Sequence, residues 1–302
     1  MLRPFALYRP TTLPELAELL RKYGDEAALY AGGTELLLLM KEGLVRPGVL
    51  VDLKRVAGLG ELAASEGTVS IGATVQHLMV ERSVAVRAHC PLVAGVARHV
   101  ANARVRAAGT VGGNLAFADP HSDLATLFLV FDARVSLWSG EGEREVPLDE
   151  FVRGPYETVR RDDEVLTAVR IRPAPGEGAG AYLKFGVYER PTLGVAVVLV
   201  LDAERRRVSE ARLALGCVGP RPQRLGHLER RLRGTPVDEL AAGRTDLTGS
   251  GMDVISAATD LHGSADYKLE MAQVFIRRAL RVAAARATRQ VIDARYPHTV
   301  VV

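Results

Sequence analysis

The beginning of the chain combines one helical pattern with short apolar runs. Apolar residues recur at helical spacing at Leu16, Leu19, Leu20 and Tyr23. Thr12 and Glu15 have the spacing of a capping box in front of this pattern, and Gly24 follows it, so we predict a helix between them. The runs 27–30 and 49–53 predict two buried strands. This order of elements indicates an α/β unit.

The pattern changes from Glu61, where polar and apolar residues alternate as they do in antiparallel strands. We predict one strand at 68–72 and a hairpin that joins 134–138 to 144–147. A further strand is predicted at 165–171. Thr74 is predicted to cap the helix that follows the first of these strands. A second, sheet-rich subdomain is therefore expected here.

A stretch rich in Pro and Gly, 173–180, has the composition of a linker. Beyond it, apolar runs predict three strands at 182–188, 195–201 and 208–216, and a long amphipathic pattern predicts a helix at 266–287. We therefore expect two N-terminal subdomains, a C-terminal domain and a tail, with the bounds 1–57, 58–174, 175–290 and 291–302.

Composition narrows the class of protein. The 302 residues are 48% hydrophobic and carry a net charge of +3, which is typical of a folded protein of two or three domains. The basic residues form no coherent stripe, so nucleic acid is not an expected partner. The N-terminus lacks the apolar core of a signal peptide and no stretch has the length of a membrane span, so we expect a cytoplasmic protein. Cys90 and Cys217 are isolated, so redox chemistry would require a bound organic cofactor.

Two glycine-rich segments are the best candidates for a binding site. The first glycine segment is Ala31-Gly32-Gly33-Thr34, directly after a predicted strand, and the second is Gly109-Thr110-Val111-Gly112-Gly113-Asn114. Glycine lets backbone N–H groups approach an anion closely, so together the segments indicate a divided cradle for a pyrophosphate. Neither has the spacing of a Rossmann fingerprint or a P-loop. The alternative is that each Gly-Gly pair only forms a turn.

Further motifs extend the pattern. The first segment continues into Glu35-Leu36, and the second is followed by Asp119-Pro120-His121-Ser122-Asp123-Leu124. Three more motifs follow: Glu164-Val165-Leu166, Lys184-Phe185 and Asp260-Leu261-His262-Gly263-Ser264-Ala265-Asp266-Tyr267. With these motifs, the chain resembles the FAD-binding medium subunit of the molybdenum hydroxylases over nearly its whole length. That family includes carbon monoxide dehydrogenase and heterotrimeric enzymes that oxidise xanthine, nicotinate or aldehydes.

The resemblance implies an α+β fold and a set of cofactor contacts. It implies a two-subdomain FAD-binding fold of the PCMH or vanillyl-alcohol-oxidase type, then a C-terminal domain with a three-stranded antiparallel sheet and a helical bundle. FAD would lie between subdomains 1–57 and 58–174. The residues implied to contact it are Leu29, Tyr30, Ala31, Gly32, Gly33, Thr34, Glu35, Leu36, Thr110, Val111, Gly112, Gly113, Asn114, Asp123, Leu166 and Lys184.

Some of these residues have simpler interpretations, and others depart from the family. Asp123 is otherwise an N-cap for the following helix, and Lys184 is otherwise a surface lysine. Glu35 would repel a diphosphate unless its carboxylate points away. His121 lies between Asp119 and Asp123, but three ligands in one short loop are a poor metal site, so none is predicted. Segment 186–191 differs from the family's usual Arg-rich form.

The resemblance also implies a function. The chain would be the electron-transfer subunit of a molybdenum hydroxylase, with molybdopterin in a large partner subunit and [2Fe-2S] clusters in a small one. The complex would be a dimer of heterotrimers. The chain itself shows no catalytic triad or cluster cysteines. The alternatives are a self-contained FAD-dependent oxidase or dehydrogenase and a non-catalytic assembly module.

Overall fold

The computed structural model describes residues 2–65, 67–173, 178–186, 190–247 and 254–302. The middle of the predicted linker, 174–177, lies outside these residues, as do positions 187–189 of the 186–191 segment. Within the described ranges the strands form three larger sheets and one two-stranded ribbon.

The first subdomain is a parallel sheet with a helix between its first two strands in the sequence. Its elements are β1 (Ala6–Tyr8), α1 (Leu13–Tyr23), β2 (Ala27–Tyr30), α2 (Leu36–Glu42) and β3 (Val49–Asp52), with the strand order β1-β3-β2. The predicted cap is confirmed, because the Thr12 hydroxyl accepts from Glu15 N at 3.3 Å, and α1 ends at Gly24. The strand predicted at 27–30 is also confirmed. The first glycine segment therefore follows the carboxyl end of a strand.

The second subdomain packs several short helices against an antiparallel sheet. Its elements are β4 (Leu62–Ser65), β5 (Thr68–Gly72), α3 (His77–Arg82), α4 (Val84–His89), α5 (Pro91–Arg98), α6 (Ala103–Ala108), α7 (Val111–Phe117), α8 (Asp123–Leu129), β6 (Arg134–Ser139), β7 (Gly142–Pro147), α9 (Leu148–Phe151), β8 (Val152–Gly154), β9 (Glu157–Thr158) and β10 (Val165–Ile171). The strand order β4-β5-β10-β6-β7 confirms the predicted strands and hairpin.

The predicted helix cap at Thr74 is wrong. The chain turns directly after β5, where Val75 N donates to Gly72 O at 3.0 Å and Thr74 N donates to Leu59 O at 2.8 Å. Helix α3 begins only at His77, and Gln76 occupies the N-cap position without a side-chain hydrogen bond. Gln76 instead forms a bridge to Thr110 of the second glycine segment.

The C-terminal domain covers one face of an antiparallel sheet with helices. Its elements are β11 (Ala179–Phe185), β12 (Leu193–Leu201), β13 (Val208–Gly216), β14 (Gln223–Arg224), α10 (Gly226–Leu232), α11 (Val237–Ala241), α12 (Ala265–Ala287) and β15 (Thr299–Val301). The predicted strands correspond to β11, β12 and β13, and the predicted long helix corresponds to α12. Among the described helices, none combines the length and apolar character needed to cross a membrane.

The end of the chain is not a detached tail. Strand β15 pairs with β11 at one edge of the sheet, and short β14 lies at the other edge, so the sheet has five strands rather than three. Val302 and Tyr182 exchange two backbone hydrogen bonds at 2.8 and 2.9 Å. The Val302 side chain packs against Gly95 of α5, where an added Cβ would lie 2.4 Å from it. The last residues thus tie the C-terminal domain to the second subdomain.

Candidate functional site

A cavity of about 590 Å³ lies where the subdomains meet, which is within the usual range for a small-molecule site. Both glycine segments contribute to its wall. Thirteen of the sixteen predicted contacts line it: Leu29, Ala31, Gly32, Gly33, Thr34, Glu35, Leu36, Thr110, Gly112, Gly113, Asn114, Asp123 and Leu166. Tyr30, Val111 and Lys184 are not part of the wall. Residues separated by more than 100 positions are thus brought to one site.

The first glycine segment presents unpaired backbone donors. It forms the loop between β2 and α2, and Gly33 adopts a φ of +71°, which favours glycine. Within the described residues, no group accepts a hydrogen bond from the backbone N–H of Gly32, Gly33 or Thr34. These three residues line the cavity. Adjacent unpaired N–H groups suit an anion such as a diphosphate.

The second glycine segment does not present free glycine N–H groups, contrary to our expectation. Gly112 N donates to Ala73 O at 3.0 Å, and Gly113 N donates to the Thr110 hydroxyl at 3.1 Å. Thr110 is the N-cap of α7, so this segment is the first turn of a helix. The Asn114 carbonyl oxygen accepts from the Ser122 hydroxyl at 2.7 Å. The side-chain NH₂ group of Asn114 therefore remains a donor that this segment can offer to a ligand.

Glycine is required here mainly for close packing. A Cβ on Gly112 would lie 2.7 Å from the backbone of Ala73. A Cβ on Gly32 would lie 2.4 Å from Ala108 O and 2.8 Å from Gly109 Cα. The two glycine segments therefore touch each other directly, and a side chain at Gly32 would separate the two subdomains.

Asp123 and Lys184 form a buried ion pair rather than two independent contacts. Lys184 Nζ lies 2.7 Å from Asp123 Oδ2 and also donates to His99 O at 3.2 Å. The Tyr182 hydroxyl donates to the other Asp123 oxygen at 2.9 Å. Burial raises the pKa of Asp123, and the Lys184 ammonium and the Tyr182 hydroxyl oppose that shift. The pair joins α8 of the second subdomain to β11 of the C-terminal domain.

Both simpler interpretations of these residues are wrong. Ser122 caps α8, because its hydroxyl accepts from Ala125 N at 3.1 Å, whereas Asp123 is the first residue of the helix. Lys184 is buried, with only 9% of its side chain exposed. Its charge is balanced by Asp123, so it is not a free cation beside the cavity.

Arg190 links three parts of the chain beside the cavity. Its guanidinium lies 3.1 Å from Asp119 and 3.5 Å from Glu35. The carboxylate of Glu35 is thus partly balanced by a cation, which reduces its repulsion of a bound anion. His121 lies between Asp119 and Asp260, with 3.4 Å to each carboxylate. Arg190 was not among the predicted contacts, and the sequence singled out its segment, 186–191, only as a departure from the family's usual form.

His77 is a second cavity residue that the sequence did not indicate. It is the first residue of α3, is 3% exposed and lines the cavity. Desolvation and the nearby Arg106 guanidinium lower the pKa of His77 to about 4, so its imidazole is neutral at pH 7. Nothing in the local sequence separates it from the other histidines.

The chain matches known protein families over most of its length. Residues 3–175 match the FAD binding domain in molybdopterin dehydrogenase, and residues 188–283 match the CO dehydrogenase flavoprotein C-terminal domain. The carbon monoxide dehydrogenase medium chain of Hydrogenophaga pseudoflava is 35% identical over 93% of this chain and 98% of that protein. The nicotine 6-hydroxylase medium subunit of Paenarthrobacter nicotinovorans is 33% identical over 92% of this chain and 96% of that protein.

A solved structure supports the same relationship. Carbon monoxide dehydrogenase from Hydrogenophaga pseudoflava, in a form that lacks the Mo-pyranopterin moiety, superposes with a TM-score of 0.87 at 32% identity. The superposition covers 95% of this chain and 99% of that one. With its two glycine segments beside one cavity, this chain belongs to the family of FAD-binding subunits of the molybdopterin dehydrogenases.

Proposed function

We propose that this chain is the FAD-carrying electron-transfer subunit of a heteromeric molybdenum hydroxylase. When bound, FAD supplies the chemistry that moves electrons from the [2Fe-2S] clusters of a small partner subunit to an external acceptor. A large partner subunit holds the molybdopterin, where the substrate is oxidised. We further propose that the complex is a dimer of heterotrimers, and the cytoplasmic location expected from the sequence stays a prediction.

The observation that carries this proposal is the set of unpaired N–H groups in the first glycine segment. Gly32, Gly33 and Thr34 offer three adjacent backbone donors on the wall of a cavity of about 590 Å³. We assign them to the diphosphate of FAD, because converging backbone donors stabilise a dianion without requiring a cation. The Asn114 amide adds a donor from the second subdomain.

The other predicted contacts divide into two roles. Leu29, Leu36 and Leu166 give the cavity an apolar wall suited to the ring systems of the cofactor. Tyr30, Val111 and Lys184 are not on that wall, so we propose that they support it from behind. Together these residues bind and orient the cofactor, whereas we assign the substrate to the partner subunit.

The medium-subunit names of the relatives support the choice of partners. Relatives from Hydrogenophaga and Paenarthrobacter are a medium chain and a medium subunit, so each belongs to a larger assembly. More than nine-tenths of this chain and of each relative align. We therefore propose that this chain assembles with a large and a small subunit in the same way.

The first test is flavin binding by the purified chain, alone and coexpressed with its partner subunits. We expect a flavin absorption band, with FAD released on denaturation in about equal amount to the protein. Thr34→Glu places a carboxylate beside the unpaired N–H groups and should abolish FAD binding. Thr34→Val, which keeps the size of the side chain, should weaken it much less.

Two outcomes would contradict the proposal. An absence of flavin from both the chain and the assembled complex would favour a non-catalytic assembly module. Reduction of the flavin by an alcohol in the chain alone would favour a self-contained oxidase. In the assembled complex, the substrate of the large subunit should reduce the flavin, and removing the [2Fe-2S] subunit should stop that reduction.

A further inference from the structure

The imidazole of His77 is buried but has no hydrogen-bond partner among the described residues. His77 is 3% exposed, and its Nδ1 atom is fully buried without a hydrogen-bond partner. Within the described part of the chain, no residue forms a hydrogen bond with either ring nitrogen of His77. Its backbone is satisfied, since His77 N donates to Gly109 O at 3.1 Å. A buried polar group without a partner is unfavourable and requires an explanation.

The surroundings of the ring do not supply that partner. Burial lowers the pKa of His77, and the Arg106 guanidinium on α6 lowers it further. Arg106 is itself engaged, because it pairs with Glu81 on α3 at 3.3 Å and donates to the carbonyls of Val100 and Ala101. The imidazole is therefore a neutral ring with one N–H donor and one acceptor nitrogen.

The ring lies at the contact between the two glycine segments. A Cβ on Gly109 would lie 3.2 Å from His77 Cδ2 and 3.4 Å from Nε2. Gly109 Cα in turn lies 2.8 Å from the Cβ position of Gly32. The imidazole edge and Gly32 thus both lie against Gly109. His77, Gly32 and Gly33 all line the same cavity.

We propose that His77 is a further FAD-binding residue, and that its imidazole N–H donates to a diphosphate oxygen held at the contact of the two glycine segments. This inference rests on the proposed function, since it requires FAD in this cavity. A neutral donor adds a hydrogen bond to the diphosphate without placing a permanent cation in the buried wall. The donor is Nε2–H, because Nδ1 is fully enclosed by the protein whereas the Cδ2–Nε2 edge lies beside Gly109.

Four variants of the full chain test this assignment. FAD is removed, and its affinity is measured by the change in flavin fluorescence on titration. We expect His77→Leu and His77→Phe to weaken FAD binding about 10- to 100-fold, the effect of losing a hydrogen bond to a charged group. His77→Gln and His77→Asn place an amide N–H near the Nε2 and Nδ1 positions, so the variant that recovers affinity identifies the donor atom.

A second ligand tests the diphosphate assignment. ADP contains the diphosphate but no flavin ring, so its affinity, measured by competition with FAD, should fall in parallel in the Leu and Phe variants. Thermal unfolding of the FAD-free variants separates lost binding from lost folding. If no variant folds, labelling wild-type histidines with ¹⁵N provides a readout without substitution, because the His77 ring signals should shift when FAD or ADP is added.

The outcomes distinguish this inference from the proposed function. Binding of FAD by the wild-type chain with unchanged affinity in folded His77→Leu and His77→Phe would overturn the His77 assignment alone. Unshifted ¹⁵N ring signals on saturation with FAD would do the same. Loss of FAD affinity without loss of ADP affinity would overturn the diphosphate contact. A wild-type chain that binds no FAD, alone or in its complex, would overturn both proposals.

Discussion

Removing the ammonium of the buried Asp123–Lys184 pair is expected to destabilise the fold strongly. Lys184→Met keeps most of the apolar stem but leaves the buried Asp123 carboxylate with the Tyr182 hydroxyl as its side-chain hydrogen-bond donor among the described residues. Breaking a buried ion pair by removing one member typically costs about 3–5 kcal/mol, because an uncompensated charge remains. With an unfolding entropy of about 2.1 cal/mol/K per residue over the 302-residue chain, this corresponds to about 5–8 °C in Tm.

The loss of folding stability in Lys184→Met should depend on pH. Without Lys184, the pKa of Asp123 in the folded chain rises further above its unfolded value. A group with a raised folded pKa contributes stability below its unfolded pKa, and that contribution is lost as the pH rises through the folded pKa. The difference in unfolding free energy between the wild type and Lys184→Met should therefore be largest at neutral and alkaline pH. It should become smaller as the pH falls toward about 4.

The assay is thermal and urea unfolding of the FAD-free chain, followed by circular dichroism. Asp123→Asn, Lys184→Met and the double variant form a cycle that isolates the interaction between the two side chains. The double variant contains no unpaired buried charge, and the amide introduced by Asp123→Asn still offers an oxygen to Tyr182, so it should be more stable than Lys184→Met. Lys41→Met, at an exposed lysine of α2, is the matched control and should unfold like the wild type.

Two results would refute this reasoning. Unfolding of Lys184→Met within about 1 kcal/mol of the wild type would show that the pair contributes little to stability. A double variant that loses the sum of the two single effects would show that the side chains do not interact in the folded chain.

Two further predictions concern other parts of the site. When the pH falls from 8 to 5, the free energy of unfolding should fall by about 2 kcal/mol more in the wild type than in His77→Leu. The pKa of His77 is about 4 in the folded chain and 6.5 in the unfolded chain, so over this range only the unfolded chain gains the proton. Urea unfolding at both pH values measures this difference, and an equal change in the two proteins would contradict the prediction. Gly112→Ala should lower stability by about 1–3 kcal/mol or prevent folding, because its Cβ would lie 2.7 Å from the Ala73 backbone. Gly154→Ala, where a Cβ meets nothing within 4 Å, is its control, and equal Tm values for the two variants would contradict the packing argument.

The local pattern of the sequence was sufficient for the regular elements near the site. The capping spacing of Thr12 and Glu15 and the terminal Gly24 were enough to predict α1, and the apolar run 27–30 was enough to predict β2. These features depend on residues within a few positions of one another, where backbone sterics and short-range hydrogen bonds decide the conformation. The cap at Thr74 failed because the chain turns there and Thr74 N pairs with Leu59 O, which is remote in sequence, so helix α3 begins only at His77.

The sequence located the glycine positions, but the packing contacts of these glycines were not predicted. The sequence indicated that bare backbone was required at Gly32 and Gly112, and both residues line the cavity. It could not show that Gly112 N donates to Ala73, or that Gly32 contacts Ala108 and Gly109. Such contacts depend on how two subdomains meet, which short-range patterns do not encode.

The sequence by itself determined several of the helices and strands, the family and the positions of the two glycine segments, because each depends on residues that are close together in the chain. Only the tertiary structure paired Asp123 with Lys184, 61 positions later in the chain. It also placed the last strand, β15, against β11 and buried His77 beside the cavity. The physical reason is that a buried charge or an unpaired ring nitrogen is defined by the groups that surround it in space, and these come from distant parts of the chain.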